Sequence, residues 1–280
     1  FGYRAMARSL QEQEKNIMVT NTISVSETPQ VLYALRRADD ALILGHRLSE
    51  CCGHAPTLEE DMALANIGLD LIGQARALYA LAALREPSLE DGRANTEDTY
   101  AYLRDVGQYR NLLLCELPNG DFGRIIMRQF LYSAFIDPYW RAMMKSSDAQ
   151  LAAIAEKAEK ETAYHLRYTS EWVIRLGDGT PESHARMQAA LDFLWSYTGE
   201  MFDTDEAEAM LQAEGMIIDA SVIHDGWRTT VQTILDRATL TLPQSAWMQK
   251  GGRSGRHSEH LGFLLSEMQQ LPRSEPGAVW

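Results

Sequence analysis

Two short segments of the sequence place a carboxylate three residues before a second position, the spacing at which one helical turn brings two metal-ligating side chains together. They are Asp70 followed by Gly73, and Glu161 followed by Tyr164. Carboxylate-bridged di-iron bundles use Glu-x-x-His on two helices and a single Glu on each of two others. Both segments here keep the carboxylate and lack the imidazole. The pattern therefore predicts a helical bundle that has lost its own metal site, and a partner chain that performs the chemistry.

The Glu161 segment allows two interpretations. Glu161 and His165 fall on one predicted core-facing stripe, which also includes Ile154, Ala158, Tyr168, Trp172 and Leu176. Because a buried carboxylate must be paired or protonated, His165 is its expected partner. The two residues belong either to a metal site or to a hydrogen-bonded pair that replaces one. The pair is favoured, because the spacing is four residues and the sequence has no second Glu-x-x-His.

Asp70 lies on a predicted polar line with Asn66 and Gln74. Such a line inside a bundle is typical of a buried hydrogen-bond network that fixes the register of the helices. We therefore expect Asp70, Glu161 and His165 to be polar core positions that remain from a metal site. No catalytic, cofactor-binding or metal-ligating residue is expected in this chain.

Two further groups could ligate ions but have simpler interpretations. Asp39, His46 and Glu50 lie on the first predicted helix, where His46 and Glu50 are expected to form a surface pair. His257 and His260 lack the four-residue spacing and adjacent Glu of the zincin motif. They are expected to begin an exposed helix.

The glycine-rich segment 250–255 resembles a phosphate-binding loop, but it lacks the Gly-Lys-Ser/Thr ending and a preceding strand. We expect a plain loop or a contact for a partner. The three cysteines are Cys51, Cys52 and Cys115. Their odd number and the lack of a Cys-x-x-Cys pair argue against a disulfide framework and a zinc site. A reducing, cytoplasmic location is expected.

The composition is that of a soluble globular protein with an acidic surface. The chain has 280 residues, 45% hydrophobic and 23% charged, with a formal net charge of −13 and a pI near 5.0. That charge disfavours nucleic acids and anionic membranes as partners, because both require basic surfaces. No signal-peptide pattern is found, and no apolar run approaches the ~18 residues that would span a bilayer.

The periodicity predicts an all-α fold, a ferritin-like bundle of long helices with additional C-terminal helices. The second helix should begin at a capping box of Thr57 and Glu60 and present one apolar face, interrupted by Arg76. That face consists of Met62, Ala65, Leu69, Ile72, Tyr79 and Ala83. The predicted helices are 29–52, 57–84, 96–117 with an alternative break at Gly107, 121–145, 148–177, 181–201, 204–214, 219–240 and 257–271.

Residues 29–280 are predicted to form one domain, and residues 1–28 to be a poorly ordered tail. The tail has few apolar residues and no helical stripe. An internal Met18 is an alternative start, in which case the preceding residues are an extension foreign to the protein or come from a misplaced start codon.

Several segments of the sequence resemble one known family. They are Leu48–Pro56, Ala63–Arg76, Pro118–Phe122, Tyr164–Arg167, Gly255–Gly262 and Glu267–Gln269, together with the final Trp280. They are similar to the C subunit, non-catalytic and ferritin-like, of the phenylacetyl-CoA epoxidase complex, also described as a ring 1,2-phenylacetyl-CoA monooxygenase. The likeness extends from about Pro29 to Trp280. Cys51 departs from it, because an aromatic residue is expected there, and this puts a local packing contact in doubt.

The resemblance implies a ferritin-like bundle without its own iron, paired with a homologous catalytic subunit that carries a di-iron centre. It further implies a small bridging subunit and a separate reductase with flavin and iron–sulfur groups. That complex epoxidises the aromatic ring of phenylacetyl-CoA with dioxygen and NADPH. None of the family's catalytic residues matches a position of this chain.

Two alternatives remain open from the sequence. The first is an independent di-iron oxidase with Asp70, Glu161 and His165 among its ligands. The second is a helical binding or storage module without redox chemistry. Whether this chain contacts the CoA moiety also stays open, since Arg104, Arg110 and Lys250 are as readily interpreted as solvated surface cations.

Overall fold

Four long helices form the body of the molecule in a computed structural model, which describes residues 22–25, 27–89, 92, 94–245 and 247–275. They are α1 (Pro29–Ser49), α2 (Leu58–Arg85), α5 (Phe122–Met143) and α6 (Ala149–Gly177). Helix α1 packs along α2, α5 packs along α6, and the two hairpins meet where α2 faces α6. The described residues contain no β-strand. The predicted all-α, ferritin-like bundle of long helices is confirmed.

Shorter helices surround this body. In chain order they are α3 (Glu97–Tyr102), α4 (Leu113–Glu116), α7 (Pro181–Trp195), α8 (Glu206–Ala213), α9 (His224–Arg237), α10 (Glu259–Met268) and α11 (Gln270–Ser274). Four 3₁₀ helices lie at Val106–Gln108, Gly199–Phe202, Ala220–Ile223 and Gly252–Ser254. Helices α7 and α9 cover α5 and α6, and α8 packs on α1. The predicted additional C-terminal helices are therefore present.

Side-chain caps begin most of the long helices, although one predicted cap differs. Thr180 and Ser183 form a reciprocal capping box at the start of α7. At the start of α2, the Thr57 hydroxyl accepts a hydrogen bond from the amide of Glu60 at 3.5 Å. The Glu60 carboxylate does not complete the predicted box, because it accepts a hydrogen bond from the Tyr168 hydroxyl of α6. A contact between helices thus takes the place of the local one.

A continuous helix over 96–117 is wrong, and the alternative with a break at Gly107 is closer to the structure, because two carboxylates of α1 accept backbone amides from this segment. The amide of Arg110 donates to Asp39 at 2.7 Å, and the amide of Leu112 donates to Asp40 at 2.7 Å. The segment is instead α3, a 3₁₀ helix and α4 joined by extended residues. Three C-terminal predictions divide in a similar way: 181–201, 219–240 and 257–271 each contain an α-helix and a second, shorter helix.

The predicted apolar face of α2 is right for Tyr79, which is buried, and wrong for Met62 and Leu69. Met62 and Leu69 are more than half exposed, whereas Leu64, Ile67 and Leu78 on the other side are buried. Helix α2 is apolar on both sides: an 18-residue window has a mean hydropathy of 1.3 and is half buried. By length and composition alone it could cross a membrane, which the sequence prediction overlooked. Periodicity cannot select the buried side of such a helix.

The N-terminal prediction is only partly covered by the described residues. Residues 1–21 and Ser26, within the segment predicted to be poorly ordered, lie outside them, as does Trp280. Ile23 is buried, its amide donates to the carbonyl of Leu103 at 3.0 Å, and its carbonyl accepts from the Gln108 side chain at 2.7 Å. This short stretch therefore packs against the segment between α3 and α4.

The C-terminal loop lies so close to the 105–117 segment that it requires glycine. A Cβ atom on Gly252 would lie 2.1 Å from the carbonyl oxygen of Asn111 and 3.0 Å from the amide of Leu113. Gly255 has a φ of +76°, and its Cβ would lie 2.3 Å from the carbonyl oxygen of Gly107. The backbones of the two segments are in direct contact at Gly252 and Gly255, so any side chain at these positions would push the segments apart.

We expect Gly252→Ala to lower the free energy of unfolding by about 3 kcal/mol or more, because overlap with backbone atoms cannot be relieved by a rotamer change. The control is Gly226→Ala in α9, where a Cβ would meet nothing within 4 Å. That change should leave stability unchanged or raise it by up to about 1 kcal/mol. Urea unfolding of both variants measures the difference, and equal stabilities would contradict the close approach.

Candidate metal position and the polar interior

Two side-chain pairs connect α2 to α6 at the predicted metal position. His165 Nε2 lies 3.0 Å from Asp70 Oδ2, and Gln74 Nε2 donates to Glu161 Oε2 at 2.9 Å. The predicted pair of Glu161 with His165 is therefore wrong, since each residue reaches across to the facing helix. Asp70 and Gln74 of the predicted polar line of α2 do form hydrogen bonds, and their partners lie on α6.

These residues lie along the contact line between α2 and α6, which we call the α2–α6 seam, and this seam is near the surface and not at the centre of the bundle. The Asp70 side chain is 37% exposed and that of Glu161 is 19% exposed, while the imidazole of His165 is fully buried. Asn66 is exposed. Glu161 also has the Lys157 ammonium 3.7 Å away. Solvent thus reaches two of the three residues that were expected to occupy the core.

The same seam is continued at both ends of the helices. Tyr168 of α6 donates to Glu60 of α2, and Arg85 of α2 pairs with Asp148 at the start of α6. Polar pairs therefore connect the two helices along most of their length. Such pairs discriminate between helix registers, because a shift of one residue would leave several partly buried groups unpaired.

The third position of each predicted motif points away from the bundle interior. A Cβ atom on Gly73 would meet nothing within 4 Å, and Tyr164 is 40% exposed. An imidazole at either position would extend over the outer side of α2 and α6. The absence of histidine at these two positions is therefore no mark of a lost metal site.

Two fully buried carboxylates of the described residues lie elsewhere, next to each other on α1. Asp39 is held by the Arg104 guanidinium, accepts from the Tyr79 hydroxyl at 2.5 Å and accepts from the amide of Arg110 at 2.7 Å. Arg104 is itself completely buried, so its interpretation as a solvated surface cation is wrong. Burial lowers the pKa of Arg104, but the charge and hydrogen bond of Asp39, together with the nearby Tyr79 and Tyr109 hydroxyls, outweigh burial and raise that pKa.

Asp40, the next residue along α1, has a second arginine. Arg253 from the C-terminal loop donates to both carboxylate oxygens at 3.0 Å and 2.7 Å, and Arg37 lies 3.5 Å away. Burial raises the pKa of Asp40, and the charges of Arg253 and Arg37 oppose that rise. Each buried carboxylate of α1 thus has a guanidinium partner in the position where a cation would otherwise have to lie.

A third buried carboxylate, Glu116 of α4, binds His257. The His257 Nδ1 atom lies 2.7 Å from Glu116 Oε2, and its Nε2 atom lies 3.0 Å from the carbonyl oxygen of Tyr109. The amide of Ser258 also donates to Glu116 at 2.6 Å. The imidazole is 1% exposed, so the expected exposed helix start is wrong for His257. Both ring nitrogens face acceptors, and neither is free to bind zinc.

The glycine-rich loop has its backbone amides occupied. The amides of Gly251 and Arg253 both donate to the buried carboxylate of Glu200, at 2.9 Å and 3.0 Å. A phosphate could not bind these amides without displacing Glu200. On the first helix, Glu50 pairs with Arg47 at 2.8 Å, so the predicted surface pair with His46 is replaced by a different one.

The described residues contain no group of three or more His, Cys, Asp or Glu side chains that could hold a metal ion. Sequence reasoning missed Arg253, and it named Arg104 and His257 but assigned both to the surface. Their signal in the sequence is weak, because each lies in an irregular segment far from its partner along the chain. Only Asp39 was singled out, and its neighbour Asp40 was not.

Burial lowers the pKa of the His257 imidazole, but the hydrogen bond and the charge of Glu116 outweigh burial and raise it above its usual value. The folded state therefore binds this proton more tightly than the unfolded state does. The resulting stability is fully present below the unfolded-state pKa of ~6.5 and is lost as pH rises through the higher folded-state pKa.

We expect the melting temperature of the wild type to fall more than that of His257→Gln between about pH 6 and pH 8, because only the wild type releases this proton. Thermal unfolding at several pH values measures the two slopes. His54→Ala, which removes an exposed imidazole, is the control and should keep the wild-type slope. Equal slopes for wild type and His257→Gln would contradict the raised pKa.

Two long helical hairpins that pack on each other and are joined by polar pairs define a ferritin-like helical bundle. The chain belongs to the phenylacetic acid catabolic protein family, because the family model matches residues 17–280. It is 46% identical over 248 residues to the C subunit of 1,2-phenylacetyl-CoA epoxidase from Escherichia coli (strain K12), a match that covers 89% of this chain and 98% of that protein. The resemblance found from the sequence motifs is confirmed.

Proposed function

We propose that this chain is the structural, non-catalytic subunit of a multicomponent di-iron monooxygenase that epoxidises the aromatic ring of phenylacetyl-CoA during aerobic phenylacetate degradation. The relative named above is a subunit of a phenylacetyl-CoA epoxidase, which supports the assignment to such a complex. The observation that carries the non-catalytic role is the pairing of Asp39 and Asp40 with arginines.

The donor set does not fit a di-iron centre. Such a centre in a ferritin-like bundle takes a carboxylate from each of four helices and two imidazoles. Here the carboxylates of α1 hold guanidinium groups, and the acids of α2 and α6 lie at a partly solvated seam. His165 is the one imidazole on α6, and α2 has none. Iron would have to displace a buried arginine and recruit ligands that point elsewhere.

The remaining parts of the proposal concern the partners. A homologous ferritin-like subunit supplies the iron, a small subunit bridges the complex, and a separate reductase with flavin and iron–sulfur groups delivers electrons from NADPH. The complex is cytoplasmic, in keeping with three cysteines that are all free thiols. In this arrangement the present chain holds its partner in a working geometry, and its own polar seam keeps the supporting bundle rigid.

The variants His165→Ala and Glu161→Gln separate this proposal from an independent di-iron oxidase. We expect each purified complex to keep its turnover of phenylacetyl-CoA within about twofold of wild type, because neither residue touches the reaction. His165→Ala should lower the free energy of unfolding of this chain by about 2–4 kcal/mol, since it empties a buried site and leaves Asp70 without its partner.

Turnover, iron content and melting temperature are measured on the same preparations, with His54→Ala as the matched histidine control. An oxidase that used Glu161 and His165 as ligands would lose iron and activity together in both variants while staying folded. That outcome would overturn the non-catalytic role. Full activity of the partner without this chain would overturn it as well, because the scaffold would then be dispensable.

A further inference from the structure

Two cysteines follow each other directly after the end of α1. Helix α1 ends at Ser49, and Cys51 and Cys52 lie in the turn that leads to α2. Both are free thiols, as is Cys115. Neither takes part in the polar pairs described above. Two adjacent thiols can hold a ligand from both sides, which a single thiol cannot do.

The two side chains differ in burial. Cys52 is exposed, whereas Cys51 is 6% exposed and packs in the hydrophobic core. Burial and the nearby carboxylate of Asp61 raise the pKa of Cys51, so this thiol stays protonated at neutral pH. Cys52 is therefore the sulfur that an incoming reagent meets first, and Cys51 is the sulfur that has to turn outward to join it.

The backbone around the pair is held by local turn contacts. The Cys51 amide donates to the carbonyl of Leu48 at 3.0 Å, and the Cys52 amide donates to that of Ser49 at 3.1 Å. Gly53 has a φ of +79°, and a Cβ atom there would meet nothing within 4 Å. A short turn of this kind opens at a lower free-energy cost than the helices on either side. Cys51 can thus leave its position while the bundle stays folded.

A direct disulfide between the two sulfurs would be strained. Adjacent Cα atoms are about 3.8 Å apart, whereas the Cα atoms of ordinary disulfides are about 4.4–6.8 Å apart. An atom placed between the two sulfurs enlarges the ring and relaxes this constraint. The described residues offer no group of three ligating side chains, so that atom must be satisfied by two sulfur ligands. Soft, thiophilic atoms meet this condition.

We propose that Cys51 and Cys52 form a two-sulfur binding site for trivalent arsenicals. With an organoarsenic(III) oxide, R–As=O, two As–S bonds form, and the two thiol protons leave with the oxygen as one water molecule. Arsenic and sulfur keep their oxidation states, so the step needs no oxidant or reductant. Because closure by the second sulfur is intramolecular, the pair should bind about 100- to 10,000-fold more tightly than one thiol.

Occupation of this site should loosen the end of α1. Glu50, directly before the pair, accepts hydrogen bonds from Arg47 at 2.8 Å and from Asn119 at 3.3 Å. In the folded chain Cys51 has to leave the core before arsenic can bridge the pair, whereas in the unfolded chain both thiols are already accessible. The unfolded state therefore binds the arsenical more tightly, and by linkage the melting temperature falls.

The test titrates phenylarsine oxide into the reduced full-length chain under native conditions. We expect one arsenical per chain by native mass spectrometry, and a fall from three free thiols to one when thiols are counted in denaturant. The melting temperature should fall in step with adduct formation. An excess of dithiothreitol, a competing dithiol, should remove the arsenical and restore the melting temperature.

Three single variants assign the sulfur ligands. Cys51→Ala and Cys52→Ala each leave one thiol of the pair and should weaken binding by about 100-fold or more. Cys115→Ala removes a buried thiol outside the pair and should bind as wild type does. Cys52→Ala is the decisive variant, because its side chain is exposed and its loss should leave the melting temperature of the free chain unchanged.

Wild-type affinity of Cys52→Ala would overturn the site. Two arsenicals per chain would overturn it as well, because each sulfur would then bind alone. An adduct that forms only in denaturant would show that the turn does not release Cys51, and this would also contradict the proposal. The site belongs to this chain alone, so none of these outcomes bears on the proposed function.

Discussion

The burial of two adjacent carboxylates on α1 is the constraint on which much of the structure depends. Asp39 and Asp40 have no access to water, so each needs a cation and hydrogen-bond donors within the protein. Arg104 supplies the cation from the segment after α3, and Arg253 supplies it from the C-terminal loop. Two irregular segments far apart in the chain are thereby drawn to the same helix.

This requirement accounts for the irregular backbone of both segments. The amides of Arg110 and Leu112 turn inward to complete the two carboxylate shells, and a continuous helix over 96–117 could not present them. Arg253 reaches α1 only if its loop passes close to Asn111, and Gly252 permits that approach. The pairing also matters for metal binding. The oxygen lone pairs of Asp39 and Asp40 that a metal would use are occupied by hydrogen bonds to the guanidinium groups.

The sequence predicts the long helices well and the polar contacts poorly, for physical reasons. The starts of α5 and α6 follow from caps that act within one turn, Asp121 and Asp148. Arg104 and Arg253 bind Asp39 and Asp40 across more than sixty residues of chain, and local periodicity does not encode such contacts. Helix α2 shows a second limit: of its predicted apolar face, Met62 and Leu69 are exposed and Tyr79 is buried. A helix with apolar residues on both sides does not reveal from its periodicity which side is buried.

Of the candidate site, the three residues Asp70, Glu161 and His165 were rightly located on facing helices, but their pairing was assigned wrongly. An i, i+4 pair on one helix looks self-sufficient in a sequence, whereas the adjacent helix offers better-placed partners in three dimensions. The family was identified from contiguous segments of the sequence. That identification does not depend on which side chains contact one another.

An anaerobic titration of the purified chain alone with Fe(II), followed by desalting and iron analysis, tests the central claim most directly. The assembled complex serves as the loaded reference. The pairing of the interior carboxylates with arginine predicts no stoichiometric iron on the isolated chain. Retention of about two iron ions per chain, the content of a di-iron bundle, would contradict it.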